Sequence, residues 1–408
     1  MRERRCGLDM ILKRPASSVA LVLCTLFALP ADAGPSDALN LYAGVAYGRD
    51  DNLLRVPDDQ PAFDGTRADS WWEREAGLIF DKTYSRQRIS AVAKLSKYDF
   101  DHFKQLNYDG KDLQATWFWQ LGNHLEGKIG TTYEQVLAPY TDLQSNERNL
   151  RRTRTKFAEG AWQFRPSWRV RTGFQRDEYD YELLAQRYNN RTEDAGEVEL
   201  DYLSGSGSTV GLMARRVNGK YPYPRPVGPV FVNDDFTQDE LKARVLWMAT
   251  GSTTFDALVG YSRRDQPSFG AGKTSGVAGK VKATYQSLGK MTYRVAVWRD
   301  FAPLESTVAS YTLNKGASVG AQWDATARIK VNADVLYERR NYNLRASFTD
   351  AGDVRDAIRT HSVSAAWAPR PTLQVTAALV RESRGRAAVL ETGGYASTAL
   401  TMSANARF

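Results

Sequence analysis

The chain has 408 residues, with 55 Lys and Arg against 47 Asp and Glu, a formal charge of +8, three His and two Cys. So thin a positive excess, spread along the whole chain, is not the footprint of a nucleic-acid-binding face. No apolar run reaches the ~18 residues that a membrane-crossing helix needs, so any crossing must be made by strands.

Residues 1–33 read as a signal peptide. Arg2, Arg4, Arg5, Lys13 and Arg14 form a basic leader, Val19 to Leu29 is an apolar core too short to span a bilayer, and Ala31-Asp32-Ala33 is a cleavage site. Met10 is an alternative start within it. Cys6 and Cys24 both fall in this segment, so the mature chain 34–408 has no cysteine and carries +6. Its stability must come from the fold rather than from disulfides, and it lacks the thiolates of a structural zinc site. Composition is even throughout, which predicts a single domain over 34–408.

Alternating segments begin at once. Leu39, Leu41, Ala43, Val45 and Tyr47 share one face, then Trp72, Ala76, Leu78 and Phe80, then Ile89, Ala91, Ala93 and Leu95. Later segments are cleaner: Leu241, Ala243, Val245 and Trp247 alternate with Glu240, Lys242 and Arg244, and Ile329, Val331, Ala333, Val335 and Tyr337 alternate with Lys330, Asn332 and Asp334. The chain ends on Leu400, Met402, Ala404, Ala406 and Phe408 against Thr401, Ser403, Asn405 and Arg407. Period-two alternation over about ten residues is the signature of strands with one face in lipid and one in a wet lumen. Short Gly-, Pro-, Asn- or Ser-bearing connections such as 81–85, 122–123 and 204–208 alternate with long polar ones near 50–70, 99–110, 138–150 and onward. The count predicts an all-β fold, a transmembrane antiparallel up-and-down β-barrel of about 18 strands (16–18), with short periplasmic turns and long extracellular loops. Lipid offers no hydrogen-bond partner, so the sheet must close, and the last strand must pair with Leu39–Tyr47. Aromatics at segment ends, among them Tyr47, Trp72, Trp162, Trp247, Trp323 and Tyr337, predict girdles at the two interfaces.

A barrel of this size has a lumen too wide for side chains to fill. The inward positions of the pattern are the candidate pore lining: Lys128, Arg169, Arg171, Lys242, Arg244, Lys280, Lys282, Arg294 and Lys330, with Glu197 and Glu199 of opposite sign. Two readings stand. Acidic residues 197–201 and basic residues 280 and 282 set a transverse field across the pore, or the wall is salt-bridged and unselective.

Little in the chain suggests catalysis, cofactor binding or a metal, and it reads as a non-enzyme. His102 beside Asp99 and Asp101 is the one histidine with carboxylate neighbours. Gly272-Lys273-Thr274 lacks the leading glycine and the helix of a phosphate loop. Asp50-Asp51 and Asp234-Asp235 are acidic loop tips that offer oxygens to a hard cation or are merely solvated. The basic run Arg148–Lys156 predicts contact with the phosphates of outer-membrane lipid and lipopolysaccharide. The Pro-rich loop Tyr221–Asp235 is either a rigid sugar-facing surface or a stiff rim.

Gly48 to Arg55 holds Asp50-Asp51-Asn52, two apolar residues and an arginine. It resembles the signature after the first strand of an outer-membrane porin family, nearest to EpsL-type proteins associated with exopolysaccharide biosynthesis. Residues 81–88, 106–110, 117–121, 149–152, 217–221 and 235–240 are similar to other parts of that family, so the resemblance runs along the mature chain. It implies a Gram-negative outer-membrane barrel, a passive pore or accessory for polysaccharide export, and periplasmic export components as partners. Phe408 resembles the terminal signal read by the outer-membrane assembly machinery. The alternative function is a general or substrate-selective diffusion porin for small polar solutes.

Overall fold

The structure, a computed structural model, describes residues 38–141, 145–227, 229–266, 273–287, 289–303, 309–344, 354–386 and 393–408. The expected signal peptide lies outside them. In chain order the strands are β1 (Leu39–Asp50), β2 (Asp69–Tyr84), β3 (Gln87–Phe100), β4 (Tyr108–Leu121), β5 (Leu125–Leu137), β6 (Leu150–Arg165), β7 (Trp168–Tyr181), β8 (Arg191–Leu203) and β9 (Thr209–Lys220). A small hairpin follows, β10 (Arg225–Val227) and β11 (Val230–Val232). The second half is β12 (Phe236–Met248), β13 (Thr253–Asp265), β14 (Lys273–Gln286), β15 (Met291–Pro303), β16 (Ala309–Trp323), β17 (Ile329–Leu344), β18 (Arg355–Arg370), β19 (Leu373–Arg384) and β20 (Tyr395–Arg407).

All except β10 and β11 form one 18-stranded antiparallel sheet in which each strand pairs with its sequence neighbours, β9 pairs with β12, and β20 returns to β1. The seam runs from Tyr42 opposite Arg407 to Asp50 opposite Ala399. Phe408 extends it, accepting the amide of Leu41 at 3.1 Å and donating to its carbonyl at 2.8 Å. Closure satisfies the edge amides that neither lipid nor water-poor interface could serve.

The face of each strand follows the expected alternation. Leu41, Leu95, Leu241, Val319, Val363 and Met402 are exposed on the outside, where lipid replaces solvent. The eight short turns are tight, and Gly122 (φ 62°) and Gly207 (φ 84°) take left-handed backbones that a side chain would oppose. Aromatics group at two heights. Tyr47 with Trp72 (5.1 Å between rings) lies near the outer ends, and Trp168 with Tyr202 (5.4 Å), Trp247 with Phe255 (5.2 Å) and Tyr285 with Tyr293 (6.3 Å) lie near the short turns.

At ~4.8 Å per strand and a tilt near 40°, a circular ring of 18 strands is about 36 Å across the backbone. Nothing spans such a space but side chains and loops. The most compact apolar cluster therefore lies at one side of the outer mouth, where Leu54, Val56, Phe100, Phe103, Leu106 and Tyr140 from three successive outer loops and their strand ends pack together.

Candidate functional site

The inner wall is charged along its height. Lys128, Arg169, Arg171, Glu197, Glu199, Lys242, Arg244, Lys280, Lys282, Arg294 and Lys330 all occupy positions of the inner alternation. Register decides which of them meet. Residues Glu197, Glu199 and Asp201 do not form an acidic pole, because basic strands flank β8 on both sides. Asp201 accepts from Arg169 at 2.9 Å and Arg171 at 2.8 Å; Glu199 meets Arg171 at 2.5 Å and Arg244 at 3.7 Å; Glu197 meets Arg215 at 3.9 Å. Lys128 pairs with Glu159 (3.5 Å), Lys242 with Glu240 (2.9 Å) and Arg294 with Asp334 (3.5 Å).

What is left over is separated across the lumen. On β14–β17, Lys280, Lys282, Arg294 and Lys330 share the described inner wall with Asp334, Glu338 and, from β13, Asp256; Asp256 stands opposite Lys282 in register. On β2–β4, Glu73, Glu75 and Asp112 surround a single cation, Lys94, which meets Glu75 at 3.3 Å. These two arcs stand nearly half a ring apart in strand order. The acidic group that faces the basic arc across the ring is Glu73, Glu75 and Asp112, not 197–201. Alternation sorts charged residues to the inner wall, and only strand pairing shows which of them cancel. The basic arc also carries an aromatic plate. The Trp298 indole lies 5.8 Å from Lys280 Nζ and donates to Glu338 at 2.9 Å. Gly316, directly opposite, leaves it room, since a Cβ there would come within 2.2 Å of the ring.

The outer mouth is narrowed by the residues that follow β5, Ala138 to Thr141. Tyr140 packs into the apolar cluster, and burial there pushes its hydroxyl well above the usual tyrosine range. The next residue, Thr141, gives its carbonyl to Arg384 Nη1 on β19. β5 and β19 are six strand steps apart in a ring of 18. In a circular barrel that is a chord of about 31 Å. The four residues from Leu137 to Thr141, an extended arginine and a hydrogen bond reach about 25 Å at most. The mouth is therefore drawn in along this line, with the chain laid over it. Arg384 is itself held: its Nε meets Asp356 at 2.5 Å and its Nη2 meets the Tyr342 hydroxyl at 3.0 Å, while Arg340 holds Asp356 from the other side at 3.1 Å.

The motif Asp50-Asp51-Asn52 sits at the barrel seam, where it does structural work. Asp50 accepts from Arg55 (2.8 Å), from the Asn52 amide (2.8 Å) and from Ser397 of β20 (2.6 Å). Asp51 accepts the Thr398 amide at 2.6 Å, and Asn52 donates to the carbonyls of Val56 and Ala396. Arg55 turns back with φ 57°, reaching Glu382 at 3.6 Å. Burial opposes its charge, and Asp50 and Glu382 outweigh it, so its pKa is raised. The carboxylates weighed as cation ligands are thus engaged by protein donors; Asp234 meets Arg225 at 3.1 Å, and Asp235 accepts the Tyr221 amide at 2.7 Å.

Other expected features are dispersed. His102 lies in an outer loop, stacked edge-on against Phe103, while Asp99 serves Arg74 and Asp101 serves Ser70. His124 is in a periplasmic turn, and His361 points outward from β18. The run Arg148–Lys156 does not present one basic face: Arg148 meets Glu182 (2.8 Å), Arg151 is buried, and Arg154 meets Asp180 (3.4 Å). Lys273 and Thr274 open strand β14 rather than a helix, and Gly272 lies outside the described residues. The 221–235 loop is a rim, held by Arg225 donating to Asn189 (2.6 Å) and to Asp234.

No family model matches the chain, and no curated protein does. Solved structures do. The outer membrane protein opdK from Pseudomonas aeruginosa aligns over 91% of this chain and 99% of its own, at 10% identity and a TM-score of 0.51. OccK9 (OpdG) from the same organism aligns over 91% and 98%, at 13% identity and 0.51. The chain has the fold of these outer-membrane β-barrels. At such identities the likeness is one of fold, and the 18-stranded closed sheet is what the chain and its neighbours share. OpdK has also been solved with vanillate, over 91% and 99%, at 11% identity and 0.50.

Proposed function

We propose that this barrel is a passive diffusion channel for small polar solutes, selective by charge and orientation rather than by a catalytic step. The observation that carries this reading is the separation of the uncompensated lumen charges into a basic arc on β14–β17 and an acidic arc on β2–β4. A field across a hydrated pore orients a dipolar solute and lowers the cost of passing it through a confined space. The segment over the mouth supports the same reading, since it restricts what can enter. The solved neighbours, one of them with a small aromatic acid bound, are in keeping with it. The exopolysaccharide role rests on the sequence resemblance alone, and a mouth drawn in by residues 138–141 does not favour the threading of a polymer.

The test is planar-bilayer recording in a salt gradient. The triple variant Lys280→Gln, Lys282→Gln, Lys330→Gln should move the reversal potential toward greater cation preference without loss of conductance. An unmoved reversal potential would remove the basic arc from selectivity. Conductance blocked by long oligosaccharides and not by small solutes would favour polymer export instead.

A further inference from the structure

The outer ends of the strands carry charged residues on the lipid-facing side, at and above the upper aromatic level. Over β6–β14 these charges answer one another across strands. Arg154 meets Glu178 (3.7 Å) and Asp180, Arg176 meets Asp194 (2.6 Å), Arg216 meets Asp239 (2.6 Å), and Lys273 meets Asp265 (3.7 Å).

The arc β16–β19 is built differently. Its outward positions carry Lys315, Arg339, Arg355, Arg359 and Arg381, and no Asp or Glu. The carboxylates of these strands, Asp334, Glu338, Asp356 and Glu382, all take the inner alternation. Register then sets cation against cation. Lys315 stands directly opposite Arg339 on one side and Arg299 on the other. Like charges directly opposite in an antiparallel pair are destabilising, and Lys315, Arg339, Arg359 and Arg381 form no ion pair with another described residue. Arg359 lies over the Tyr337 ring at 5.9 Å.

Height identifies what meets them. From Ile329 at the lower rim to Arg339 is ten residues, a rise of about 25 Å on a strand tilted near 40°, which is the thickness of the apolar band. The cations thus stand at the outer head-group level. Directly below them Val319, Val335, Val363 and Leu379 form a lipid-facing apolar stripe. We propose that this arc is the docking surface for one phosphorylated glycolipid of the outer leaflet, its phosphates between Lys315, Arg339 and Arg359 and its acyl chains on the valine stripe. Guanidinium and ammonium groups supply the charge-assisted donors that a phosphate takes; Lys315 and Arg339 stand ~5 Å apart on adjacent strands, and Arg359, opposite Tyr337, lies on the diagonal from Arg339 at roughly 7–8 Å. The stripe below argues for a lipid rather than a free anion. The self-neutralised arc β6–β14, which contains most of the run 148–156, lacks this character.

The experiment is native mass spectrometry of the folded barrel in detergent micelles doped with lipid A. The wild type should retain lipid A, and dephosphorylated lipid A should be retained at least about tenfold less. Lys315→Gln with Arg339→Gln and Arg359→Gln should lower lipid A retention by about tenfold or more, and Lys315→Gln alone by a smaller step should the triple variant not fold. Arg216→Gln, in the neutralised arc, should leave it unchanged. Equal retention by wild type and variant, equal retention of the dephosphorylated lipid, or displacement by millimolar inorganic phosphate would each overturn the proposal. So would a stable oligomer whose light-scattering mass falls to monomer in the triple variant, since the arc would then be an interface between copies.

Discussion

Replacing Arg384 by alanine should loosen the segment over the mouth while leaving the wall intact. The side chain is 1% exposed and makes three kinds of contact: Asp356, the Tyr342 hydroxyl and the Thr141 carbonyl. Asp356 would not be orphaned, because Arg340 still approaches it at 3.1 Å with two nitrogens and Tyr342 donates at 2.8 Å. The Thr141 carbonyl has no second donor of this kind among the described residues. A charge-assisted hydrogen bond contributes roughly 1.5–3 kcal/mol, so its loss shifts the closed-to-open ratio of the segment by about ten- to a hundredfold. Some of that is masked, because Tyr140 still anchors the segment in the apolar cluster. The assay is single-channel recording in planar bilayers, beside a heat-modifiability gel that reports the folded barrel. Expected are a higher mean conductance and more frequent transitions, with Arg384→Lys intermediate. A folded variant with wild-type conductance and noise would refute the idea that this contact narrows the mouth.

Asp50→Ala should destabilise the seam by about 3 kcal/mol or more, because it removes the closer of the two carboxylates that face the buried Arg55 and leaves Glu382 at 3.6 Å; the denaturation midpoint of the folded band in guanidinium measures it. Deleting Phe408 removes two backbone hydrogen bonds to Leu41, and membrane assembly should fall while export to the periplasm persists; full-level insertion of the truncated chain would argue against that role. Gly316→Val should displace Trp298 from the inner wall and weaken any block of current by aromatic solutes, leaving salt conductance little changed. Asp112→Asn should reduce the acidic pole and shift the reversal potential opposite to the lysine triple variant.

Much of the fold is legible in the residues themselves. A strand exposes alternate side chains whatever its partner, so Leu241 to Trp247 or Ile329 to Tyr337 declare both their conformation and their faces before any pairing is known. Turn residues mark eight tight connections, and a spanning sheet has no choice but to close, which ties Leu400–Phe408 to Leu39–Tyr47. The same period-two pattern also sorts Lys128, Arg169 or Lys280 to the inner side.

Pairing across strands is a property of register, and register is written in no single segment. The acidic residues of β8 look like a pole until β7 and β9 bring Arg169, Arg171 and Arg215 beside them. Lys315 and Arg339 are unremarkable in sequence, 24 positions apart, until the sheet sets them face to face. Tyr140 and Thr141 read as turn residues, and their reach to β19 depends on contacts 243 positions away. Sequence alone thus determined that this chain is a closed barrel with a polar interior, because alternation and backbone hydrogen bonding are local demands. Tertiary structure decided which charges survive and what covers the mouth, because both depend on distances between residues that the chain separates and only the ring brings together.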